Sequence, residues 1–366
     1  MKVVGNLNHF YHLAYLRYII WQRKRDCIEE LNKIKSSSNF KPLSVNQKKE
    51  IKEYWNTFSK KSYFDMKWYE VFNAFCNENQ LKYYLPHDFY YCYVDTTFAN
   101  AQKAYVLDDK NMYDIYFHDV KMPDTVCRRM GGVFMDEKYS VISFGEALKK
   151  CFNYGKIIIK KTINSCGGSG IFFWEANDDN LYDLKSFFNN NDNFIVQSIV
   201  NQHRELAKLH ARSVNTIRIM TLLYGEEVLP ISSIIRMGAN NARIDNASNG
   251  GLVCGIKETG ELREVAFDGI NNLFTKHPQG AVFSEIVIPN FEKCIETACY
   301  LASRFSSVTK LVSWDFSIDE DGNPVLIEAN LTYGGIGVHQ KCNGPLFGNR
   351  TEELLEYVFD NHPLLK

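Results

Sequence analysis

Three oxygen-bearing side chains near the C-terminus, Asp315, Glu328 and Asn330, interrupt an otherwise apolar stretch spanning 311–330. The stretch reads as a β-hairpin. Residues 312–318 form one strand, 319–324 a polar turn carrying Gly322, and 325–329 the return strand. Glu328 and Asn330 are two apart, so they share a strand face. Asp315 sits mid-strand opposite, where the partner strand can bring them together. Two carboxylates and a carboxamide on one face repel each other and lose hydration if left bare. A hard divalent cation removes that cost; Mg²⁺ takes oxygen ligands and is completed by substrate phosphates. The plainer alternative is a solvated sheet face.

A second stretch could hold the phosphates. Residues 157–159 (Ile-Ile-Ile) form a buried strand ending in Lys160 and Lys161. The loop 164–170 (Asn-Ser-Cys-Gly-Gly-Ser-Gly) follows, then a strand from Ile171 to Trp174. Glycines let backbone N–H groups approach an anion, and a lysine at the strand end adds a full charge. The loop joins two strands and lacks the G-x-x-x-x-G-K-[ST] pattern, so it is not a Walker loop. A β-turn with glycine at positive φ explains it equally well. Lys110 falls in the first turn of a helix capped by Asp108 or Asp109, where it opposes the helix dipole; such violations tend to mark functional sites. The strand 194–200, carrying Gln197, Ser198, Ile199 and Val200, runs into a polar loop with Glu205. Its end could offer backbone groups to an adenine edge, with Glu205 reaching ribose hydroxyls. Arg218 and Arg236 fall within two alternating strands, at 213–224 and 228–237. An arginine on a buried face needs an anion, either a structural carboxylate or a substrate oxygen. Asn246 lies in a small polar loop, 242–252, that could close over phosphates.

The totals exclude several classes. The chain has 366 residues, 45% hydrophobic and 23% charged, which suits a soluble protein of one large or two to three small domains. Its 42 basic and 43 acidic residues nearly cancel, giving no electrostatic case for nucleic acid or an anionic membrane. Ten cysteines without a C-x-x-C pair argue against a zinc site and a disulfide framework, and predict reduced thiols in the cytoplasm. The apolar run 10–21 is interrupted by His12 and Arg17 and is too short to span a bilayer. It could rest on a membrane surface as an amphipathic helix; packing onto the main body is the expected arrangement.

Residues 1–94 read as a helical, aromatic-rich region: one long helix over 9–33, a helix from the Ser44 cap to 58, another over 66–77, and a tyrosine cluster from 83 to 93. They hold no catalytic constellation. From 95 onward strands and helices mix. Further helices are expected from the Ser143 cap to about 152, over 178–188, 290–304 and 352–360, with a hairpin over 253–267 and a third glycine-rich loop at 331–337.

The order Asp109-Lys110, strand-Lys160, glycine loop, Gln197 hinge, Arg218, Arg236, Asn246, Asp315 and Glu328-x-Asn330 resembles the ATP-grasp superfamily. More closely it resembles the sugar-transfer-associated ATP-grasp family, through Ser213-Val-Asn-Thr-Ile-Arg218, Arg236-Met-Gly238, Asp245-Asn246 with Gly250-Gly251, Ile288-Pro-Asn290 and Trp314-Asp315. The likeness covers about 94–360. It implies an α+β fold in which two subdomains grip ATP, behind a helical region at 1–94. The lid subdomain would span about 124–200 and the metal-binding subdomain about 201–366. By the same resemblance Lys110 and Lys160 hold ATP phosphates, and Gly167, Gly168, Ser169 and Gly170 form the covering loop. Gln197, Ser198, Ile199 and Val200 form the adenine hinge, with Glu205 at the ribose. Asp315, Glu328 and Asn330 bind one or two Mg²⁺, which Mn²⁺ can replace. Arg218, Arg236 and Asn246 lie near the γ-phosphate and an acyl phosphate. Gln197 stands where many relatives have Glu, Lys161 replaces a usual Pro, and Ser313 replaces an Arg found in some ligases.

What the resemblance implies is an ATP- and Mg²⁺-dependent carboxylate–amine ligase. It would act on a sugar acid, an amino sugar or a related precursor of a surface polysaccharide (capsule or O-antigen), with a nucleotide sugar or glycan precursor as one partner class. The alternative enzyme is a kinase that phosphorylates a hydroxyl from the same ATP site. A non-enzymatic scaffold is disfavoured by the intact triad.

Overall fold

The structure, a computed structural model, describes residues 2–36, 40–76, 78–162, 170–177, 180–245, 250–269 and 272–365. Among these, twelve strands form two antiparallel sheets. The first contains β1 (Thr125–Met130), β2 (Val133–Met135), β3 (Lys156–Lys161), β4 (Ile171–Glu175) and β5 (Phe194–Ser198), in the order β2-β1-β5-β3-β4. The second contains β6 (Thr216–Tyr224), β7 (Glu227–Met237), β8 (Leu252–Ile256), β9 (Leu262–Phe267), β10 (Leu273–Phe274), β11 (Leu311–Ile318) and β12 (Pro324–Asn330), in the order β10-β9-β8-β7-β6-β11-β12.

Alternation decides which face of the first sheet is covered. Ile157, Ile159, Trp174, Phe194 and Val196 are buried with Ala147, Cys151, Leu184 and Phe188 of the helices Phe144–Tyr154 and Leu181–Asn190. Ser143 starts the first of these helices with a reciprocal capping box to Glu146, which contributes on the order of 1 kcal/mol. The opposite face, with Ile158, Lys160, Ile171 and Phe173, is left to a cleft.

In the second sheet every residue of β11 is buried. The helix Phe291–Arg304 covers one face, with Cys294, Ala298, Leu301 and Ala302 against Trp314, Phe316 and Ile318. A fully buried strand normally excludes carboxylates. Asp315, within β11, therefore requires partners on the other face.

The N-terminal region is helical, as its pattern indicates, and packs on the body. The helix Lys2–Ser36 turns Leu16, Ile20, Cys27 and Leu31 inward and leaves Tyr18, Trp21 and Ile28 exposed. The helix expected over 66–77 runs only Lys67–Phe72, before turns at 73–76. A π-helical stretch, Tyr90–Val94, and a helix, Ile336–Asn343, are additions to the sequence reading. No helix of the described residues is long and apolar enough to cross a membrane. The nine cysteines among the described residues are free thiols.

This region also clamps the glycine-rich loop that follows β12. Arg23, buried on the long helix, pairs with Asp95 at 2.6 Å and lies 4.5 Å over the ring of Tyr333. Burial pushes the Asp95 carboxyl up, opposed by Arg23 and by the backbone N–H of Tyr333. Gln340 exchanges two hydrogen bonds with the backbone of Leu85, at 2.8 and 3.0 Å. Gly337 lies so close to His87 that an added Cβ would come within 2.7 Å of the ring. Arg23→Ala leaves Asp95 buried without its counter-charge, which costs about 3–5 kcal/mol. The expected result is a lower denaturation midpoint, with amide exchange accelerated in 331–337 before it rises in β11.

Candidate ATP-binding and metal site

Register assembles the polar cluster. Arg218 on β6 lies opposite Asp315 on β11, and Asp315 lies opposite Glu328 on β12. Directly opposed residues share a face, so one row carries an arginine and both carboxylates. The neighbouring row pairs Met220, Ser313 and Asn330, and on the other side Thr216 pairs with Arg236 of β7. The sequence expectation that Asp315, Glu328 and Asn330 share one face of paired strands therefore matches the geometry.

Each acidic group already has a cationic neighbour. Arg218 donates to Asp315 through Nε and Nη2, both at 2.7 Å, and Arg236 Nη2 adds a bond at 2.9 Å. Burial raises the Asp315 pKa, but the attraction of Arg218 and Arg236 outweighs it and holds the carboxyl at about 2. Arg218, although buried, is held above its ordinary value by Asp315. Arg236 also receives support from Thr216 Oγ1 at 3.0 Å, and that hydroxyl donates to Asp245. Glu328 pairs with Lys110 at 2.8 Å. Asn330 donates to the carbonyl of Ser313 at 3.2 Å and to Asp315 at 3.4 Å, which fixes its Oδ1 as the spare acceptor.

The donor set fits a hard cation. Among the described residues no three His, Cys, Asp or Glu side chains gather by themselves; two carboxylates and one carboxamide oxygen make the set here. Asp315, Glu328 and Asn330 would hold the ion; Glu328 and Asn330 are partly exposed, whereas Asp315 is fully buried and already accepts from Arg218 and Arg236.

Beside this cluster lies a cleft of about 550 Å³, counted to its open mouth, between the two sheets. Its walls include Ile158, Lys160 and Phe173 from the first sheet, Ser198 at the end of β5 with Ile199 and Val200 just beyond it, and Thr216 and Ile327 from the second. A mostly apolar wall with a few convergent polar groups is what a purine and its ribose require. Lys160 is buried there, and among the described residues it makes no ion pair. Burial lowers its pKa to about 8; Glu328 opposes that shift and Lys110 reinforces it.

The remaining expected residues distribute as follows. Gln197 lies opposite Ile158 and is buried, so it sits on the cleft-facing side without lining the cleft. Glu205 is held by Lys208 at 2.6 Å and does not line the cleft. Gly170, with φ +82°, receives Lys161 N–H on its carbonyl at 3.0 Å and closes the end of its loop. Gly167, Gly168, Ser169 and Asn246 lie outside the described residues.

Sequence reasoning missed Arg243, which lines the cleft and lies 5.5 Å over Phe173. Its place beside Asp245 and Asn246 was the available signal. The structure also accounts for Ser313. Its hydroxyl donates to the carbonyl of Gly334 at 3.1 Å, and a Cβ on Gly334 would meet it at 2.5 Å. An arginine there would displace the glycine loop; Arg218 and Arg236 supply the positive charge from neighbouring strands instead.

Among solved structures, the chain is similar to D-alanyl-alanine synthetase A from Vibrio cholerae, at 11% identity and a TM-score of 0.43, covering 72% of this chain and 67% of that one. It is also similar to D-alanine–D-alanine ligase from Bacillus anthracis, at 15% identity and a TM-score of 0.39, covering 72% and 69%. A third is N5-carboxyaminoimidazole synthetase from Staphylococcus aureus complexed with ADP, at 9% identity and a TM-score of 0.39, covering 73% and 53%. Likeness that distant says nothing of this chain's substrate. No curated protein matches the chain in sequence. The decisive match is to a family model: residues 94–355 fit the one described as sugar-transfer associated ATP-grasp, and the chain belongs to that family.

Proposed function

We propose that this chain is an ATP- and Mg²⁺-dependent carboxylate–amine ligase that forms an amide on a sugar acid, amino sugar or related precursor of a surface polysaccharide, in the cytoplasm. The observation that carries the reading is the convergence of Lys110, Lys160, Arg218 and Arg236 with Asp315, Glu328 and Asn330 beside one apolar cleft. Family membership supplies the link to sugar transfer.

A substrate carboxylate oxygen attacks the γ-phosphorus of ATP, the bond from that phosphorus to the β,γ-bridging oxygen breaks, and ADP leaves. The amine nitrogen then attacks the acyl carbon, loses a proton and expels phosphate. Nothing in this sequence of bonds needs a nucleophilic side chain; positioning and charge neutralisation lower the barrier. Lys160 orients the phosphates from the floor of the cleft. Lys110, paired with Glu328 at 2.8 Å, is placed to offer its charge to a phosphate oxygen. Arg218 and Arg236 keep positive charge beside the transferring group while Asp315 fixes their planes. Mg²⁺ held by Asp315, Glu328 and Asn330 would supply positive charge to offset what develops on the transferring phosphoryl group.

The test is ADP release screened against pooled uronic acids, nucleotide sugars and amino acids. Release of ADP together with free phosphate, dependent on both an acid and an amine, supports a ligase. Retention of the phosphate on the product indicates a kinase.

Lys160 gives this reading a pH signature. Its pKa near 8 lies below the unfolded value of about 10.4. Between those values the unfolded chain binds more protons, so burial of this lysine makes stability rise with pH there. Bound triphosphate reverses the preference by favouring the charged form. Binding of Mg·ATP at pH 9 should therefore take up as much as about one proton, and much less at pH 7. Titration calorimetry in buffers of different ionisation heat reads that difference, and Lys160→Met should abolish it.

A further inference from the structure

His339 is fully buried on the helix Ile336–Asn343, and its Nε2 has no hydrogen-bond partner among the described residues. A buried bare ring nitrogen is costly, so it calls for an explanation. The bonds around its other nitrogen fix which one carries the proton. Arg263 Nε donates to Asn343 Oδ1 at 2.8 Å, which sets the orientation of that amide. Asn343 Nδ2 must then be the donor to Ser232 Oγ at 2.9 Å. The proton of Ser232 needs an acceptor, and the available one is His339 Nδ1 at 2.9 Å. Nδ1 is thus the acceptor, and Nε2 carries the N–H.

The ring that carries it is anchored on the sheet face that bears Arg218. Ser232, which anchors the ring, pairs with Met220 in the row next to Ile234 and Arg218. Gly335, which caps the start of the His339 helix with φ +83°, is placed so that a Cβ would lie 3.2 Å from Arg218 Nη1. Arg218 spends Nε and Nη2 on Asp315, and Nη1 makes no hydrogen bond among the described residues. Burial is the main reason the ring stays neutral, with its pKa lowered to about 3 and Arg218 acting in the same direction. A neutral donor next to an arginine suits an oxygen acceptor and repels no cation.

Resting on the ligase reading above, we propose that His339 donates a hydrogen bond from Nε2 to an oxygen of the acid substrate beside Arg218, and so determines which acid is accepted. His339→Asn keeps an amide at the Nδ1 position and loses the Nε2 donor. His339→Gln places an amide N–H near the Nε2 position. ADP release is followed against the concentration of the pooled uronic acids. The expected result is that His339→Asn raises the acid KM about 10-fold or more with the ATP KM unchanged, and His339→Gln restores it to within about 3-fold. Nitrogen-15 NMR of the ring should show Nε2 protonated and Nδ1 bare from pH 6 to 8. An unchanged acid KM in His339→Asn, or equal damage in both variants, with Mg·ATP binding intact, overturns the histidine proposal alone. Failure of the unaltered protein to bind Mg·ATP overturns the ligase reading beneath it.

Discussion

Glu328→Gln is expected to lower ATP turnover by at least about 10²-fold, the scale seen when one group facing developing phosphoryl charge is removed. The amide keeps the shape of the side chain and loses the charge. Glu328 sits on the edge strand β12, with its side chain 28% exposed and one ion pair, to Lys110. Lys110 is buried, with its side chain 11% exposed, but the amide oxygen of the substituted side chain still accepts a hydrogen bond from its ammonium, which limits the loss. The fold should therefore survive, with a thermal midpoint within a few degrees of the unaltered protein. ADP release at saturating Mg²⁺ and differential scanning calorimetry separate the two effects. Full turnover with Mg²⁺ limiting would remove Glu328 from the metal set.

Asp315→Ala should behave differently, because Asp315 is fully buried and carries three charge-assisted bonds. Its loss leaves two arginines facing each other without a counter-charge. Activity should vanish, and the fold should lose about 3–5 kcal/mol, read by denaturant unfolding. The pH dependence follows from the same contacts. The carboxyl is held at about 2, below its unfolded value near 3.9. Its contribution to stability is complete above that unfolded value and drains away as pH falls toward 2. The variant should lose less stability than the unaltered protein across that acid window. Equal stability of the two proteins at pH 7 would contradict the pairing.

How much of this was legible beforehand depended on the range of the signal. The hairpin was readable because its determinants are local: alternation through 311–318, a Gly-bearing turn, and Glu328 and Asn330 at a spacing of two. Its predicted facing of Asp315 and Glu328 is the observed register. The position of Lys110 was visible only as a lysine in the wrong turn of a helix, and the structure explains it as the partner of Glu328. Arg218 and Arg236 could be placed on strands, but both readings of a buried arginine stayed open; the partner the structure shows is the carboxylate of Asp315. The short helix Ile336–Asn343 was missed because it opens on a glycine-rich loop and carries little amphipathic pattern, with Lys341 and Asn343 near its end. His339 in that segment gave no signal at all. The clamp between Arg23 and Tyr333 joins residues that only the fold brings together, 310 positions apart, so no local pattern could announce it.

The most direct test is equilibrium binding of a non-hydrolysable ATP analogue, with and without Mg²⁺, monitored by amide exchange across β3, β5 and β12. Protection that appears together at 158–160, 198–200 and 326–330, and only when the metal is present, is the predicted outcome. Analogue binding that leaves β12 unprotected, or that is indifferent to Mg²⁺, would mean that the two sheets do not share one nucleotide.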